Sequence, residues 1–289
     1  MRYLDAAATR DALAMRDAIE AMERAFTGTA DAPLRSLVGP SLVMPGTLDD
    51  LMAVKIVSIV PGNPVGLVVV FGDDGTPLGI VDGPTLTAIR TGAVAGLATR
   101  LLAKPDATVL AMLGAGAMGY DQVEGVRAVR PIEDVLVWSR DIGKARTLAE
   151  RVGGHAVPDA RDAVSRADVV SCATPATKPL FDEESIEPGT HINAVGAFTP
   201  DMAELSPAVL NRAFVVVDDM DAAAAEAGDL IQADRAPDAT LRQLLEGRAP
   251  GSGYDFTVFK SVGIAAQDVA AAGRALVNAA RQGLGTVLD

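Results

Sequence analysis

The chain has 289 residues, a net charge of -13 and a composition that is 49% hydrophobic and 22% charged, enough apolar material for one large or two medium domains. The acidity and the lack of any Lys/Arg block exclude a nucleic-acid surface, and 4% aromatic residues leave no stacking platform for single strands. No apolar run reaches the roughly 18 residues of a membrane span, Met1 to Arg16 contain no apolar signal core, and one cysteine, Cys172, allows no internal disulfide, so the expected location is cytoplasmic.

Residues 11–26 (DALAMRDAIEAMERAF) place Met15, Ile19, Met22 and Phe26 on one helical face. Pro33 and the Gly/Pro-rich piece Gly39 to Gly46 are expected to end that unit. Strand-like runs follow over Met52–Val60 and Gly66–Phe71, separated by a loop with Pro61, Gly62, Asn63 and Pro64. Asp73-Asp74-Gly75 signals a hairpin with a returning strand at Gly79–Val81. A long helix is expected from about Thr85 to Ala103, stopped by Pro105.

From Ala107 the rhythm becomes strand–helix alternation. Strands are predicted at Thr108–Leu113, Asp134–Trp138, Ala156–Val157, Asp168–Ala173, His191–Val195 and Phe214–Val217, with helices at Tyr120–Ala128, Gly143–Val152, Ala160–Ser165 and over 221–232. A last strand, Phe256–Phe259, precedes an Ala-rich helix from about Ala265 to Gln282. This alternation predicts a doubly wound parallel α/β sheet. Cys172, in VVSCATP, reads as a core residue. His155 reads as a surface residue and His191 as a structural one, and two histidines with one cysteine give no metal spacing.

The strand at Thr108–Leu113 ends in Gly114-Ala115-Gly116-Ala117-Met118-Gly119, a G-x-G-x-x-G turn that opens a helix. The first glycine permits the tight turn, the second lets the backbone approach a pyrophosphate, and the third lets the helix pack on the strand. The helix N-terminus offers free N–H groups to the phosphates. The ligand class is therefore a dinucleotide. NAD or NADP is usually chosen at the end of the second strand, which here reads VLVWSRD. Ser139 and Arg140 can hold a 2′-phosphate by hydroxyl and guanidinium, and Lys144 lies one turn beyond. NADP(H) is expected in preference to NAD(H), unless Asp141 points inward.

The stretches PLR at 33–35, the Lys55 strand, DGPTLTAIRTGAVAGLATRLLA at 82–103, GAGAMG at 114–119, HINAVGAFTPDMAEL at 191–205 and TVFKSVGIA at 257–265 together resemble the ornithine cyclodeaminase/μ-crystallin family over nearly the whole length. The resemblance implies a Rossmann-type doubly wound domain over 105–263. It also implies a second α+β domain, 1–104 with 264–289, that holds the substrate and makes a homodimer. It places Arg35 and Arg90 on the substrate α-carboxylate, and Lys55 near the imine or amine as proton donor or charge stabiliser.

By their own pattern, Arg35 sits just after a proline on a loop or edge, and Lys55 interrupts an apolar strand and so either snorkels or faces a cavity. Arg90 has the fork suited to a carboxylate, and a desolvated lysine beside arginines should titrate low. The cofactor is expected to touch Thr91, the glycine turn, Ser139, Arg140 and Lys144. The strand ends Ala173-Thr174-Pro175, Val195-Gly196 and Val262 should hold the nicotinamide at the carboxyl edge of the sheet.

Two departures bear on the reaction. Where cyclodeaminases carry an acid two positions after the glycine of NAVG, this chain has Phe198. The carboxylate expected before the Met-Pro pair is replaced by Ser41, Leu42 and Val43. Asp201 is expected to cap the next helix instead of substituting. Phe198, Val57 and Met44 suggest a modest uncharged pocket. The leading expectation is NADPH-dependent reduction of a small imino acid such as Δ1-pyrroline-2-carboxylate. The alternatives are an alanine-type dehydrogenase and a non-catalytic μ-crystallin-like binder of NADP and a small acid, with an ornithine cyclodeaminase disfavoured.

Overall fold

A computed structural model describes residues 1–60 and 65–288; the loop expected at Pro61, Gly62, Asn63 and Pro64 lies outside the described residues. The chain divides into two units, Met1–Ala93 with Gly263–Asp289, and Val94–Val262, the division falling inside the helix Gly83–Leu102.

The first unit is an α+β body around an antiparallel meander. Strands Ser41–Leu48, Leu51–Ser58, Gly66–Gly72 and Pro77–Asp82 pair in that order, and Arg2–Leu4 adds in parallel to the last of them. The period of two is kept: Ala53, Lys55, Val68, Val70 and Val81 turn inward, while Met52, Ile56 and Leu67 on the opposite face are exposed. The C-terminal helix Ala265–Gln282 lies on the inward face and packs against the helix Met15–Thr27. That helix buries Ile19, Met22 and Phe26, as its spacing predicts.

Here the sequence misleads in two places. Residues 11–26 are not one helix: a helix Ala6–Ala12, capped by Asp5, breaks at Leu13 before Met15–Thr27 begins. The Gly/Pro-rich piece, expected to end the unit, is a strand. Pro45 is tolerated in Ser41–Leu48 because the outer neighbours pair with residues 41–43 and 47–48, leaving positions 44–46 without an outer partner among the described residues to need the missing N–H.

The second unit is a Rossmann-type sheet of eight parallel strands among the described residues. Their order is His155–Ala156, Asp134–Trp138, Val109–Leu113, Val169–Cys172, His191–Ala194, Phe256–Lys260, Ala213–Val217 and Ala239–Thr240. The strands are largely apolar because helices cover both faces. The strand order reverses between Val109–Leu113 and Val169–Cys172, the switch point at which doubly wound sheets open a crevice at their carboxyl ends. His191 is buried in the sheet between Thr257 (2.9 Å) and Asn193 (3.2 Å), and burial pushes its imidazole down to about 3, so it is neutral. The helical stretch at 221–232 is two helices, Met220–Glu226 and Gly228–Ala233, parted at Ala227. Asp201 does not cap a helix: its carboxylate takes the Thr199 hydroxyl at 2.6 Å, and the next helix, Pro207–Arg212, is capped by Ser206.

One buried network holds the carboxyl edge of this sheet together. Glu204 accepts from the Thr174 N–H (2.6 Å), the Thr174 hydroxyl (2.9 Å) and the Gly196 N–H (2.8 Å), tying together the loops that follow two neighbouring strands. Asp229 in turn accepts from the N–H groups of Glu204 and Leu205 and pairs with Lys260 at 2.7 Å. Burial pushes the Glu204 carboxyl up, with Lys260 opposing and Asp229 adding to the rise. Glu204→Ala leaves buried donors without an acceptor, at about 1–3 kcal/mol each. The expected outcome is a melting temperature several degrees lower, followed by circular dichroism; an unchanged melt would show that the loops hold without the carboxylate.

Candidate active site

The glycine turn has the shape its pattern predicts. Gly114 adopts φ +117°, and a Cβ there would stand 2.5 Å from the Ala173 carbonyl. A side chain at Gly119 would meet Leu148 at 2.7 Å and the Gly114 carbonyl at 2.9 Å, so this glycine sets the packing of the helix Gly119–Arg127. Gly116 differs: a Cβ there would meet nothing within 4 Å. Its open face belongs to a cavity of about 420 Å³ whose lining includes Ala115, Gly116, Ala117, Tyr120, Asp141 and Lys144, with the Arg151 guanidinium 3.7 Å above the Tyr120 ring. An open backbone face beside a helix N-terminus suits a pyrophosphate, so the residues present fit a dinucleotide. Met118 precedes the helix without a side-chain cap.

At the end of the second strand Ser139 is half-buried and Arg140 exposed. Asp141 accepts from the N–H groups of Gly143 (2.9 Å) and Lys144 (3.3 Å), capping the helix Ile142–Val152. Its carboxylate is engaged at a helix start, yet Asp141 also lines the cavity beside the glycine turn, which Ser139 and Arg140 do not. Of the other expected cofactor contacts in this unit, Ala173 is packed beneath Gly114, Thr174 and Gly196 are bound through Glu204, and Pro175 and Val195 adjoin them in sequence. Val262 is buried after Ser261, whose hydroxyl donates to Asp218 at 2.7 Å. Thr91 lies in the first unit and is buried next to Arg90.

In the first unit the three basic residues come together around an acid that sequence reading missed. Lys55 points inward from its strand, buried, with Met44 and Val68 as its cross-strand neighbours. Its ammonium lies 2.7 Å from Asp268 Oδ2. Arg90 Nε meets Asp268 Oδ1 at 3.2 Å, and its Nη1 donates to Gln267 Oε1 at 2.9 Å. Arg35, half-buried, donates from Nη2 to the Gly263 carbonyl at 2.7 Å. Burial pushes the Lys55 ammonium down to about 8; Asp268 opposes that shift, while Arg90 and Arg35 add to it. Lys55 therefore faces a cluster and does not snorkel. The signal for Asp268 was there to use: a carboxylate on the buried side of an Ala-rich helix needs a cation. Val57 is half-buried on the Lys55 side of the sheet, and Phe198, in the other unit, is 39% exposed.

The comparisons with known proteins agree with this architecture. A Δ1-pyrroline-2-carboxylate reductase of Bacillus cereus is 36% identical over 283 residues, covering 89% of this chain and 87% of that protein. The structure of Thermococcus litoralis Δ1-pyrroline-2-carboxylate reductase in complex with NADH and L-proline is 30% identical, matching with a TM-score of 0.93 over 100% of both chains. An archaeal alanine dehydrogenase dimer with bound NAD is 28% identical, with a TM-score of 0.92 over 100% of this chain and 99% of that one. The family model of the ornithine cyclodeaminase/mu-crystallin family matches residues 5–282, and the chain belongs to that family.

Proposed function

We propose that the protein reduces a small imino acid, a C=N bond next to a carboxylate such as that of Δ1-pyrroline-2-carboxylate, to the amino acid with NADPH. The observation that carries this reading is the buried cluster of Lys55, Arg90 and Asp268 with Arg35 on its margin. Two guanidiniums suit a planar carboxylate. An ammonium near 8 is mostly protonated at neutral pH yet gives up its proton readily, which suits a proton donor to nitrogen. The dinucleotide supplies, when bound, a hydride to the imine carbon. The chain's own residues fix the carboxylate and deliver the proton to the nitrogen, so the product is the amine and the oxidised cofactor.

The test follows NADPH absorbance with Δ1-pyrroline-2-carboxylate, and in parallel with pyruvate plus ammonium. Oxidation on the cyclic imine without ammonium is the expected result, and a strict requirement for ammonium would move the assignment to an alanine-type dehydrogenase. Lys55→Met should lower kcat by about 10²–10⁴-fold, and Arg90→Leu should raise KM by about 10- to 150-fold, the loss of a hydrogen bond to a charged group. Full turnover in both variants would remove these roles.

The NADP preference rests on the chemistry of Ser139 and Arg140 at the strand end and on Lys144 in the cavity lining, and it is opposed by Asp141, which caps the helix and lines the same cavity. Converting Ser139→Asp together with Arg140→Leu should move the NADPH/NADH ratio of kcat/KM toward NADH by about tenfold or more. A ratio that does not move would place the selectivity elsewhere.

The exposed apolar sheet face, Met52, Ile56 and Leu67 with half-buried Val54 and Val69, suits a homodimer interface. Ile56→Glu with Leu67→Glu should give a monomer by light scattering, where the wild-type chain gives a dimer. A cytoplasmic location belongs to the same reading, supported by the buried, unpaired thiol of Cys172.

A further inference from the structure

One short segment touches all three cations of the cluster. The Gly263 carbonyl accepts from Arg35. Gly263 has φ +79°, and a Cβ on it would stand 2.7–3.2 Å from the Arg90 guanidinium, so only glycine leaves Arg90 its place. Gln267 Oε1 and Asp268 Oδ1 both accept from Arg90, and Asp268 Oδ2 faces Lys55. Asp268 and Gln267 are buried, so neither is a surface counterion. The Gln267 Nε2 amide is buried with no hydrogen-bond partner among the described residues. A buried donor left unsatisfied is costly, and packing alone gives no reason for a glutamine here; orienting Arg90 through Oε1 does.

We propose that Asp268 is a positioning residue for the reaction, dividing its two oxygens between Lys55 and Arg90 so that the proton donor and the carboxylate-binding guanidinium keep a fixed spacing, while Gln267 orients Arg90 alone. This rests on the imino-acid reductase reading and names what sets its geometry. The charged groups facing Lys55 are Asp268 from the C-terminal helix, Arg90 from the helix Gly83–Leu102 and Arg35 from the loop after Pro33; Met44 and Val68 on the flanking strands are uncharged. Asp268 is the one group among these that holds the ammonium protonated. Removing its charge lowers the pH at which Lys55 loses its proton.

The experiment is kcat/KM for the imine against pH, with folding checked by circular dichroism and NADPH binding by fluorescence. In the wild-type enzyme activity should fall on an alkaline limb near 8, and Lys55→Met should abolish that limb. Asp268→Asn should move the limb acidward by about one unit or more, the size of shift a close charge produces. Gln267→Leu should raise KM about tenfold, as for the loss of one charge-assisted contact, and leave the limb where it is. Asp268→Glu keeps the charge, so the limb should stay near its wild-type place while the displaced ammonium lowers kcat several-fold. If Asp268→Asn does not fold, this Glu variant decides: kinetics indistinguishable from wild type would overturn the positioning role. A wild-type limb that does not depend on Lys55 would sink the proton-donor reading. A limb that depends on Lys55 but stays put in a folded Asp268→Asn variant would sink the proposal for Asp268 alone.

Discussion

Burying positive charge is the constraint on which the first unit is organised. Lys55 and Arg90 are taken out of water with one carboxylate, Asp268, between them, and Arg35 adds a third cation at the margin. A buried ion pair recovers its desolvation cost only when its geometry is good and its remaining hydrogen-bonding groups are satisfied. A single carboxylate, Asp268, is shared by Lys55 and Arg90, so each cation depends on the placement of the other. Burial is the main cause of the lowered Lys55 ammonium, with the Arg90 and Arg35 charges adding to it and Asp268 opposing. The Asp268 carboxylate is what lets the strand alternation carry a lysine inward. In a purely structural sheet that position would be apolar, as Ala53 and Val68 are.

The second unit solves a different problem, presenting bare backbone at the carboxyl edge of a parallel sheet. The glycine turn does so by lacking side chains, with Gly114 and Gly119 fixing the turn and Gly116 left open. The next two strand ends do so through a buried acid. Glu204 satisfies the N–H groups of Thr174 and Gly196, and Asp229 with Lys260 stabilises the start of the segment carrying Glu204. Buried networks of this kind are strong only when each member is satisfied. The carboxylates of both units, Asp268 and Glu204, thus act by holding other groups in place.

What the sequence made legible follows from how local each signal is. The parallel unit was readable because a buried strand, a glycine turn and a helix are contiguous; Asp134–Trp138 and Ala265–Gln282 have the limits their patterns predict. The glycine turn and Lys55 stood out because each breaks an otherwise apolar stretch, whereas Arg35 and Arg90 were singled out by the resemblance. The strand Ser41–Leu48 was hidden because Pro45 and Gly46 look like breakers, and only the gap between its outer neighbours makes them harmless. Asp268, Gln267 and Glu204 were missed for a related reason: each is an ordinary polar residue until a partner distant in sequence is brought to it. Asp268 meets Lys55 across 213 positions, from 55 to 268.

The charge balance also separates the reactions this family's site could support. A diamino acid brings a second ammonium into a cluster that already holds three cations, with Asp268 fully engaged by Lys55 and Arg90. At the positions where the resemblance expects an additional acid, the chain has Phe198, Ser41, Leu42 and Val43. Repulsion between like charges in a desolvated site is large compared with what hydrogen bonds to neutral groups return. A preformed imino acid carries its nitrogen and its carboxylate in together, so the anion compensates the cations before the nitrogen gains its proton. Electrostatics thus disfavours a substrate that brings a second ammonium group.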